Sequence, residues 1–267
     1  MTTHFDIPAL RARIARLERA GASDTPSLAG APAMAMDFGV AVIDAALPTG
    51  GLAQGAVHEV MGGGAETEHA AAACLFVAGI AARVAARIAD GWSIWIGDEP
   101  PYLPALVGCG LRPAWLLFVR ATTAERVLQA MEDALRSGAV AVVVGELDGR
   151  LSLTGSRRLQ LAAEARGTIG LLLRRSRRFD DPQLTTPSAA PTRWRVTSAP
   201  SAAPVAGRPR LRGLSPARWR VELLRNRGGV PHEWLMEQCD AQGRLRLVPD
   251  LRDRPAASLR TYIGRAA

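Results

Sequence analysis

The residues most suggestive of chemistry lie in "VHEVMGGGAETEHAA" (57–71), where a strand-like run passes through three glycines into an alanine-rich helix pattern. Strand, glycine-rich turn and helix N-terminus form the layout of a phosphate-binding loop, because the turn's N–H groups and the helix dipole both favour an anion. Here, however, the acids Glu66 and Glu68 stand where the phosphates would lie.

The signature positions of the phosphate loop, G-x-x-x-x-G-K-[S/T], are degenerate in this chain. With Gly62 in the first position, Thr67 replaces the second glycine. Glu68 replaces the lysine, and His69 replaces the serine or threonine. The degenerate loop comprises Gly62, Gly63, Gly64, Thr67, Glu68 and His69.

The change of lysine to glutamate matters most, since that lysine neutralises phosphate charge. A unit charge pair about 4 Å apart contributes about 4 kcal/mol at an effective dielectric of about 20, so reversing one sign changes the interaction by about 8 kcal/mol. The chain contains no lysine that could substitute from elsewhere. We therefore expect no nucleotide cofactor and no catalysis.

Other catalytic and metal-binding patterns are missing from the sequence. Neither His58-Glu59 nor His232-Glu233 is followed by a second histidine four residues on, so the zinc-protease pattern fails. The chain has no C-x-x-C motif and no G-x-S-x-G nucleophile elbow. We expect no metal site and no catalytic residue of these classes.

Charge is distributed unevenly along the 267 residues. Residues 1–150 carry 11 arginines and 16 acids, a net charge of −5, whereas residues 151–267 carry 22 arginines and 9 acids, a net charge of +13. This asymmetry predicts an acidic partner for the second half, nucleic acid being the commonest.

The sequence predicts a cytoplasmic protein without a membrane segment. The longest apolar stretch, 70–82, is short for a bilayer span, and the N-terminus lacks the apolar core of a signal peptide. Three widely spaced cysteines fit a reducing compartment better than a disulfide framework.

The hydrophobic pattern divides the chain into three parts. Leu10, Ile14 and Leu17 recur at helical spacing and predict an amphipathic helix, which a Gly/Ala/Ser/Pro linker follows, so that residues 1–33 form one unit. Residues 34–200 alternate strands with helices, which predicts a three-layer α/β core with a mostly parallel sheet. Residues 201–267 read as a linker followed by a short antiparallel β extension.

Three segments of the core resemble RecA recombinases, over about residues 36–200 in total. "IDAALPTGGLAQGAVHEVMGGGAE" (43–66) resembles the approach to the RecA phosphate loop. "WIGDE" (95–99) is similar to the strand that ends in the RecA catalytic glutamate, a place that Glu99 would take. "ALRSGAVAVVVGEL" (134–147) resembles the second nucleotide-motif strand, with Glu146 in place of the magnesium-associated aspartate.

Within this RecA-like group the chain is identified as similar to the ImuA family. The resemblance rests on "IPALRARIARLE", on "LPTGGLAQGAVHEV" and on a tail reading "RWRVELLRNRGG…WLME…RLRL". It implies a RecA-like fold without a working nucleotide loop, and association with RecA, with an inactive Y-family polymerase homologue (ImuB) and, through it, with a DnaE-type error-prone polymerase. The expected function is that of a non-catalytic adaptor or regulator in SOS-induced translesion synthesis at the nucleoid.

The resemblance also suggests where partners bind. Leu10, Ile14 and Leu17 would dock on a RecA-type protomer, or pack on their own domain. The arginines that would contact DNA or a partner lie in the loop after the "TIGLLLR" strand and beside Trp194; the alternative is a solvated face. These arginines are Arg174, Arg175, Arg177, Arg178, Arg193 and Arg195.

Three alternatives stay open at this point. Trp194 and Trp219 either stack on bases or belong to the core of alternating strands. The chain could be an atypical ATPase that uses Glu99 and Glu146. It could also be a SulA-like inhibitor of cell division, because those proteins are RecA-related too.

Overall fold

A computed structural model describes most of the central and C-terminal chain. It covers residues 35–64, 66–88, 91–175, 182, 186–201, 216–238, 240 and 244–248, with residues 66–68 described by their backbone alone. The predicted N-terminal helix with Leu10, Ile14 and Leu17 lies outside the described residues, as do Arg177 and Arg178.

Strands and helices alternate through the described core. The strands are β1 (Ala35–Met36), β2 (Leu52–Ala53), β3 (Val57–Gly62), β4 (Ser93–Gly97), β5 (Leu116–Arg120), β6 (Val142–Asp148), β7 (Ile169–Arg175), β8 (Thr192–Ala199), β9 (Arg218–Asn226), β10 (His232–Glu237) and β11 (Arg246–Leu247). The α-helices are α1 (Ala41–Ala46), α2 (Glu66–Ala86), α3 (Leu103–Gly108), α4 (Ala124–Ser137) and α5 (Leu153–Arg166).

One nine-stranded sheet organises the fold, in the order β11-β10-β9-β8-β3-β7-β6-β4-β5. The six strands from β8 to β5 are parallel, whereas β9, β10 and β11 extend the sheet in antiparallel fashion. The predicted α/β class is therefore confirmed: a mostly parallel central sheet, compatible with a RecA-like three-layer fold, with a C-terminal antiparallel extension. The predicted boundaries at residues 33 and 200 stay predictions.

Two hydrophobic cores lie on opposite faces of the sheet. One face packs against α2 and contains Phe76 and Trp194. The other packs against α4 and α5 and contains Met131. Val143 faces the second core while its neighbour Val144 faces the first, as the alternation of a strand requires. The sheet between two helical layers gives the predicted three-layer arrangement.

The tryptophans of the arginine-rich strands belong to the first core. Trp194 is fully buried and Trp219 is 2% exposed. The ring of Trp194 lies 5.3 Å from that of Phe38 and 5.9 Å from that of Phe76, centroid to centroid. Of the two alternatives for these side chains, core packing is the one observed, and stacking on bases is excluded in this conformation.

Local capping explains why the surface helices lie where the pattern predicts them. The N-terminal cap of α4 is Thr123, whose hydroxyl accepts a hydrogen bond from the N–H of Arg126. Ser152 does the same for α5 through the N–H of Gly155. Both caps satisfy a backbone donor that a helix leaves unpaired in its first turn.

Helix α2 is longer than the apolar stretch 70–82, which the sequence suggested is short for a bilayer span. Its segment His69–Ala86 is long and apolar enough, by length and composition, to cross a membrane, although 67% of that segment is buried inside the protein. Such burial is typical of a core helix, and α2 packs against β3, β7 and β8 of the sheet. The apolar run thus reflects the packing of α2 against the sheet, within a core that also contains Met36 and Ile43.

Candidate functional site at the carboxyl edge of the sheet

The glycine turn lies at the carboxyl edge of the parallel strands, where α/β sheets usually hold ligands. The turn follows β3, whose last residue is Gly62, and leads into α2. Strand β6 brings Glu146 to this edge and β7 brings Arg175. On the other side of β3 lies β8, paired in parallel with Gly62 opposite Val196.

Strand β8 covers the turn. The N–H of Gly63 donates a hydrogen bond to the carbonyl of Val196 at 2.9 Å. A Cβ atom added to Gly63 would lie 1.7 Å from Oγ1 of Thr197, so only glycine permits this close approach. On α2, Nδ1 of His69 accepts a hydrogen bond from the N–H of Ser198 at 3.3 Å. At least one N–H group that a phosphate loop offers to its ligand is thus bonded within the protein.

Little space is left beside the turn. The cleft between Gly62, Gly64, Ala70, Ala73 and β7 measures about 10 Å³. That volume holds about one water molecule, far less than a triphosphate requires. Nothing is described of the side chains of Thr67 and Glu68, so the repulsion expected from Glu68 stays a prediction from the sequence.

Both oxygens of the Glu146 carboxylate are engaged by the chain itself. The indole N–H of Trp95 donates to Oε1 at 2.6 Å. Arg175 donates to Oε2 from Nε at 2.9 Å and from Nη2 at 2.5 Å. A guanidinium therefore supplies the positive charge that a metal ion would bring to this carboxylate, and a divalent cation would have to displace it.

Glu99 does not join this arrangement. It lies two residues beyond β4 and is exposed to solvent. No hydrogen bond links it to Glu146 in the described part of the chain. Among the described residues, no group of three His, Cys, Asp or Glu side chains is placed to hold a metal ion.

The thiol of Cys74 lies near the same edge, on α2. Burial, together with a smaller contribution from the negative charge of Glu146, raises its pKa to about 12. The Cys74 thiol is therefore neutral at ordinary pH, and the side chain packs against the first core.

A buried charge cluster ties β3 to its two neighbours, and sequence reasoning missed it. Oε2 of Glu59 accepts a hydrogen bond from Nε of Arg193 at 2.8 Å and lies 3.9 Å from Nη1 of Arg174. Arg193 also donates to the carbonyl of Thr186 and to Oγ of Ser188. The only signal in the sequence is an acid in the middle of the apolar strand "VHEVM", which requires a partner when buried.

This cluster corrects the placement of two predicted surface arginines. Arg174 is 2% exposed and Arg193 is 8% exposed. Arg174 and Arg175 belong to β7 rather than to the loop that the sequence predicts over residues 174–192. Strand β7 extends this far because it continues its pairing with β6 as far as Asp148 opposite Arg175. Arg174 and Arg193 therefore stabilise the sheet instead of facing a partner.

Arg195 lies on β8, opposite Glu222 of the first antiparallel strand, β9, and is paired with it. It donates to Oε2 of Glu222 at 2.7 Å and to Oε1 at 2.5 Å. This hydrogen bonding holds the pKa of the Glu222 carboxyl below its usual range. Each described arginine of the predicted set thus has a glutamate beside it, and contact with DNA or a partner stays a prediction that rests chiefly on Arg177 and Arg178.

The amino-acid sequence is similar to those of known proteins. No family model matches the chain. It is 39% identical over 235 residues to Protein ImuA from each of two strains of Caulobacter vibrioides, covering 85% of this chain and 94% of the relative. It is also 39% identical over 85 residues to the cell division inhibitor SulA of Edwardsiella piscicida, covering 31% of this chain and 49% of that protein. The match to Protein ImuA spans nearly the whole of both chains, and this protein therefore belongs to the ImuA family.

Proposed function

We propose that this protein is a non-catalytic, RecA-like adaptor in damage-induced, error-prone DNA synthesis. Its partners would be RecA, an ImuB-type inactive polymerase homologue and, through the latter, a DnaE-type polymerase at the nucleoid in the cytoplasm. Family membership supports the pathway. The observation that carries the non-catalytic part is the filling of the nucleotide position by the chain's own groups.

Three requirements of a RecA-type nucleotide site conflict with this geometry. The N–H of Gly63, which would face a phosphate, is bonded to Val196. The cation that would bind the β- and γ-phosphates is absent from the sequence, because Glu68 takes its place. Glu146, which would bind magnesium, is occupied by Arg175. A site that satisfies its own polar groups gains little from a ligand, which supports a function through surfaces instead.

The test measures nucleotide and partner binding on the same purified protein. We expect no saturable binding of a fluorescent ATP analogue with magnesium, no ATP hydrolysis, and capture of purified ImuB or RecA that is unaffected by ATP. Hydrolysis that Glu99→Gln abolishes would overturn the non-catalytic assignment and favour an atypical ATPase. The adaptor assignment would be overturned if the protein bound neither RecA nor ImuB at concentrations at which RecA and ImuB are seen to bind each other.

A matched pair of variants tests the role assigned to Arg175. Arg175→Ala removes the cation beside Glu146, whereas Arg150→Ala removes an exposed arginine from the loop after β6. We expect neither variant to hydrolyse ATP, since the loop lysine and the open turn are still missing. Saturable magnesium-dependent ATP binding by the native chain would contradict the self-filled site. If Arg175→Ala left that binding unchanged, Arg175 would not be the group that keeps a cation from Glu146.

Inhibition of cell division is the second candidate, and the partial similarity to SulA favours it. It predicts filamentous cells on overexpression and direct binding to the division GTPase. Normal cell length at an expression level that still supports damage-induced mutagenesis would rule it out.

A further inference from the structure

A larger hollow lies at the opposite edge of the sheet from the glycine turn. It is bounded by the last turns of α2 (Ala82, Ala85 and Ala86), by Ser93 at the start of β4, and by Arg112 and Trp115 in the short turn before β5. Its volume is about 330 Å³, which falls within the range of small-molecule sites in proteins.

This pocket is open because alanine and glycine residues line much of it. Helix α2 presents only alanine methyl groups to it, and Gly91 and Gly110 complete its walls. Gly110 has a φ of 94°, in the left-handed region that favours glycine, so the turn keeps its shape without a side chain in the hollow. A leucine at any alanine position would fill the space that a ligand needs.

Among the described residues, two polar groups of the pocket lack a hydrogen-bond or ion-pair partner. Ser93 is 2% exposed, and no group in the described part of the chain bonds to its hydroxyl, an unfavourable state for a buried polar atom. The exposed guanidinium of Arg112 lies 5.7 Å from the ring centroid of Trp115, and within the described ranges no carboxylate pairs with it. The Trp115 ring is itself packed edge-on against Trp92 at 5.2 Å. The pocket therefore combines apolar walls, a cation held over a fixed ring and an unsatisfied hydroxyl.

We propose that this pocket binds a carboxylate carried on a compact apolar body. The carboxylate would pair with Arg112 at the mouth, and the apolar body would lie between the alanine methyl groups and Leu111. A polar atom that reaches the inner wall would also satisfy Ser93. The same chemistry occurs in free aromatic or branched-chain acids and in the C-terminal residue of a partner protein. The proposal does not depend on the adaptor function.

The test uses three defined probes in ligand-observed NMR with the full chain: 3-phenylpropionate, N-acetylglycyl-phenylalanine and the uncharged 3-phenylpropan-1-ol. Small acids of this size commonly bind with dissociation constants in about the millimolar range, so titration extends to about 10 mM. We expect saturable binding of at least one acid, and binding of the alcohol weaker by about tenfold or more. Tighter binding of the acylated dipeptide supports a chain terminus as the natural ligand, and tighter binding of phenylpropionate supports a free acid.

Variants then locate the binding site. Arg112→Gln should weaken the acid about tenfold and leave the alcohol unchanged, because it removes only the cation. Ala86→Leu, at an exposed alanine of the rim, should abolish binding of all probes without unfolding the protein. Arg120→Gln is the matched control, since Arg120 is exposed and lies at the far end of β5. Absence of saturable acid binding, or equal binding by the wild type, Arg112→Gln and Ala86→Leu, overturns the proposal.

Discussion

The buried histidine near the start of β3 makes the stability of this protein depend on pH in a defined window. His58 on β3 is fully buried. Its Nε2–H donates to the carbonyl of Ala53 at 2.9 Å, and Nδ1 lies 2.7 Å from the hydroxyl of Thr192. That hydroxyl accepts the indole N–H of Trp194 and donates its own proton to Nδ1. The neutral imidazole satisfies this network, whereas a second proton, on Nδ1, would force the hydroxyl to turn its own hydrogen away from the ring.

Burial lowers the pKa of His58 from 6.5 to about 4. The unfolded chain therefore binds a proton in a pH range where the folded chain does not. The stability that the neutral side chain contributes is fully present above about pH 6.5 and is lost as the pH falls toward 4. At about 1.4 kcal/mol per pKa unit, the loss across this window is about 3 kcal/mol.

Urea denaturation at several pH values between about 7 and 4 measures this effect. The native chain should lose stability with a slope approaching one proton per molecule, whereas His58→Gln should show a slope smaller by that proton. His232→Gln, at an exposed histidine, keeps the buried imidazole and should retain the native slope. Glu222 acts mainly below this window, since its pKa falls from an ordinary value of 4.5. Parallel pH profiles for the native chain and His58→Gln would refute the buried neutral imidazole.

Three further predictions concern the charge cluster, the thiol and the basic segment. Arg193→Met leaves Glu59 buried with only a distant cation, and should lower the free energy of unfolding by about 3 kcal/mol or more in chemical denaturation. Cys74 should react with iodoacetamide about a thousandfold more slowly in the native than in the unfolded protein at about pH 8, since its pKa is raised to about 12. If Arg177 and Arg178 contact DNA, replacing both by alanine should weaken DNA binding at low salt and reduce the slope of log affinity against log salt by about two.

Matched variants make these tests specific. Arg220→Met removes a half-exposed arginine from an outer ion pair and should cost less than about 1 kcal/mol, so an equal loss in Arg193→Met would contradict the role of the buried cluster. Labelling is measured in the Cys239→Ser variant, whose remaining thiols are Cys74 and Cys109. Rapid labelling of the folded form would refute their burial. The control for DNA binding is a double alanine variant of the exposed Arg126 and Arg157. If it weakened DNA binding as much as the Arg177 and Arg178 variant does, the effect would come from overall positive charge and not from the basic segment.

Much of the fold could be predicted from the sequence because its signals are local. The pattern "TAERVLQAMEDALRSG" predicts a helix over 123–138, and α4 spans Ala124–Ser137 between a threonine cap and Gly138. The apolar run "AVAVVV" predicts a strand buried on both faces. Strand β6 begins within this run, and its valines contribute side chains to both cores. Periodicity, caps and turns act over a few residues, and a single sequence displays them directly.

The contacts of the site could not be predicted in the same way, since they join distant positions. Glu59 and Arg193 are 134 residues apart in the chain, and they meet only because β8 pairs in parallel with β3. The same pairing brings Thr197 against Gly63 and closes the turn. The sequence indicated the lost lysine at Glu68, but not that a neighbouring strand covers the turn.

Strand β8 also determines how the C-terminal part can be studied. It is hydrogen-bonded to β3 on one side and, over its whole length, to β9 on the other. The extension therefore shares the core's own backbone network, and Trp219, Val221 and Leu223 pack in the same interior as Phe76. A chain nicked by protease between β8 and β9 should remain a single noncovalent complex, with two fragments on a denaturing gel and one species in gel filtration. Conversely, a peptide covering only β9 and β10 would lack the template on which those strands form, so a partner that recognises this sheet is best sought with the intact protein or with reassembled fragments.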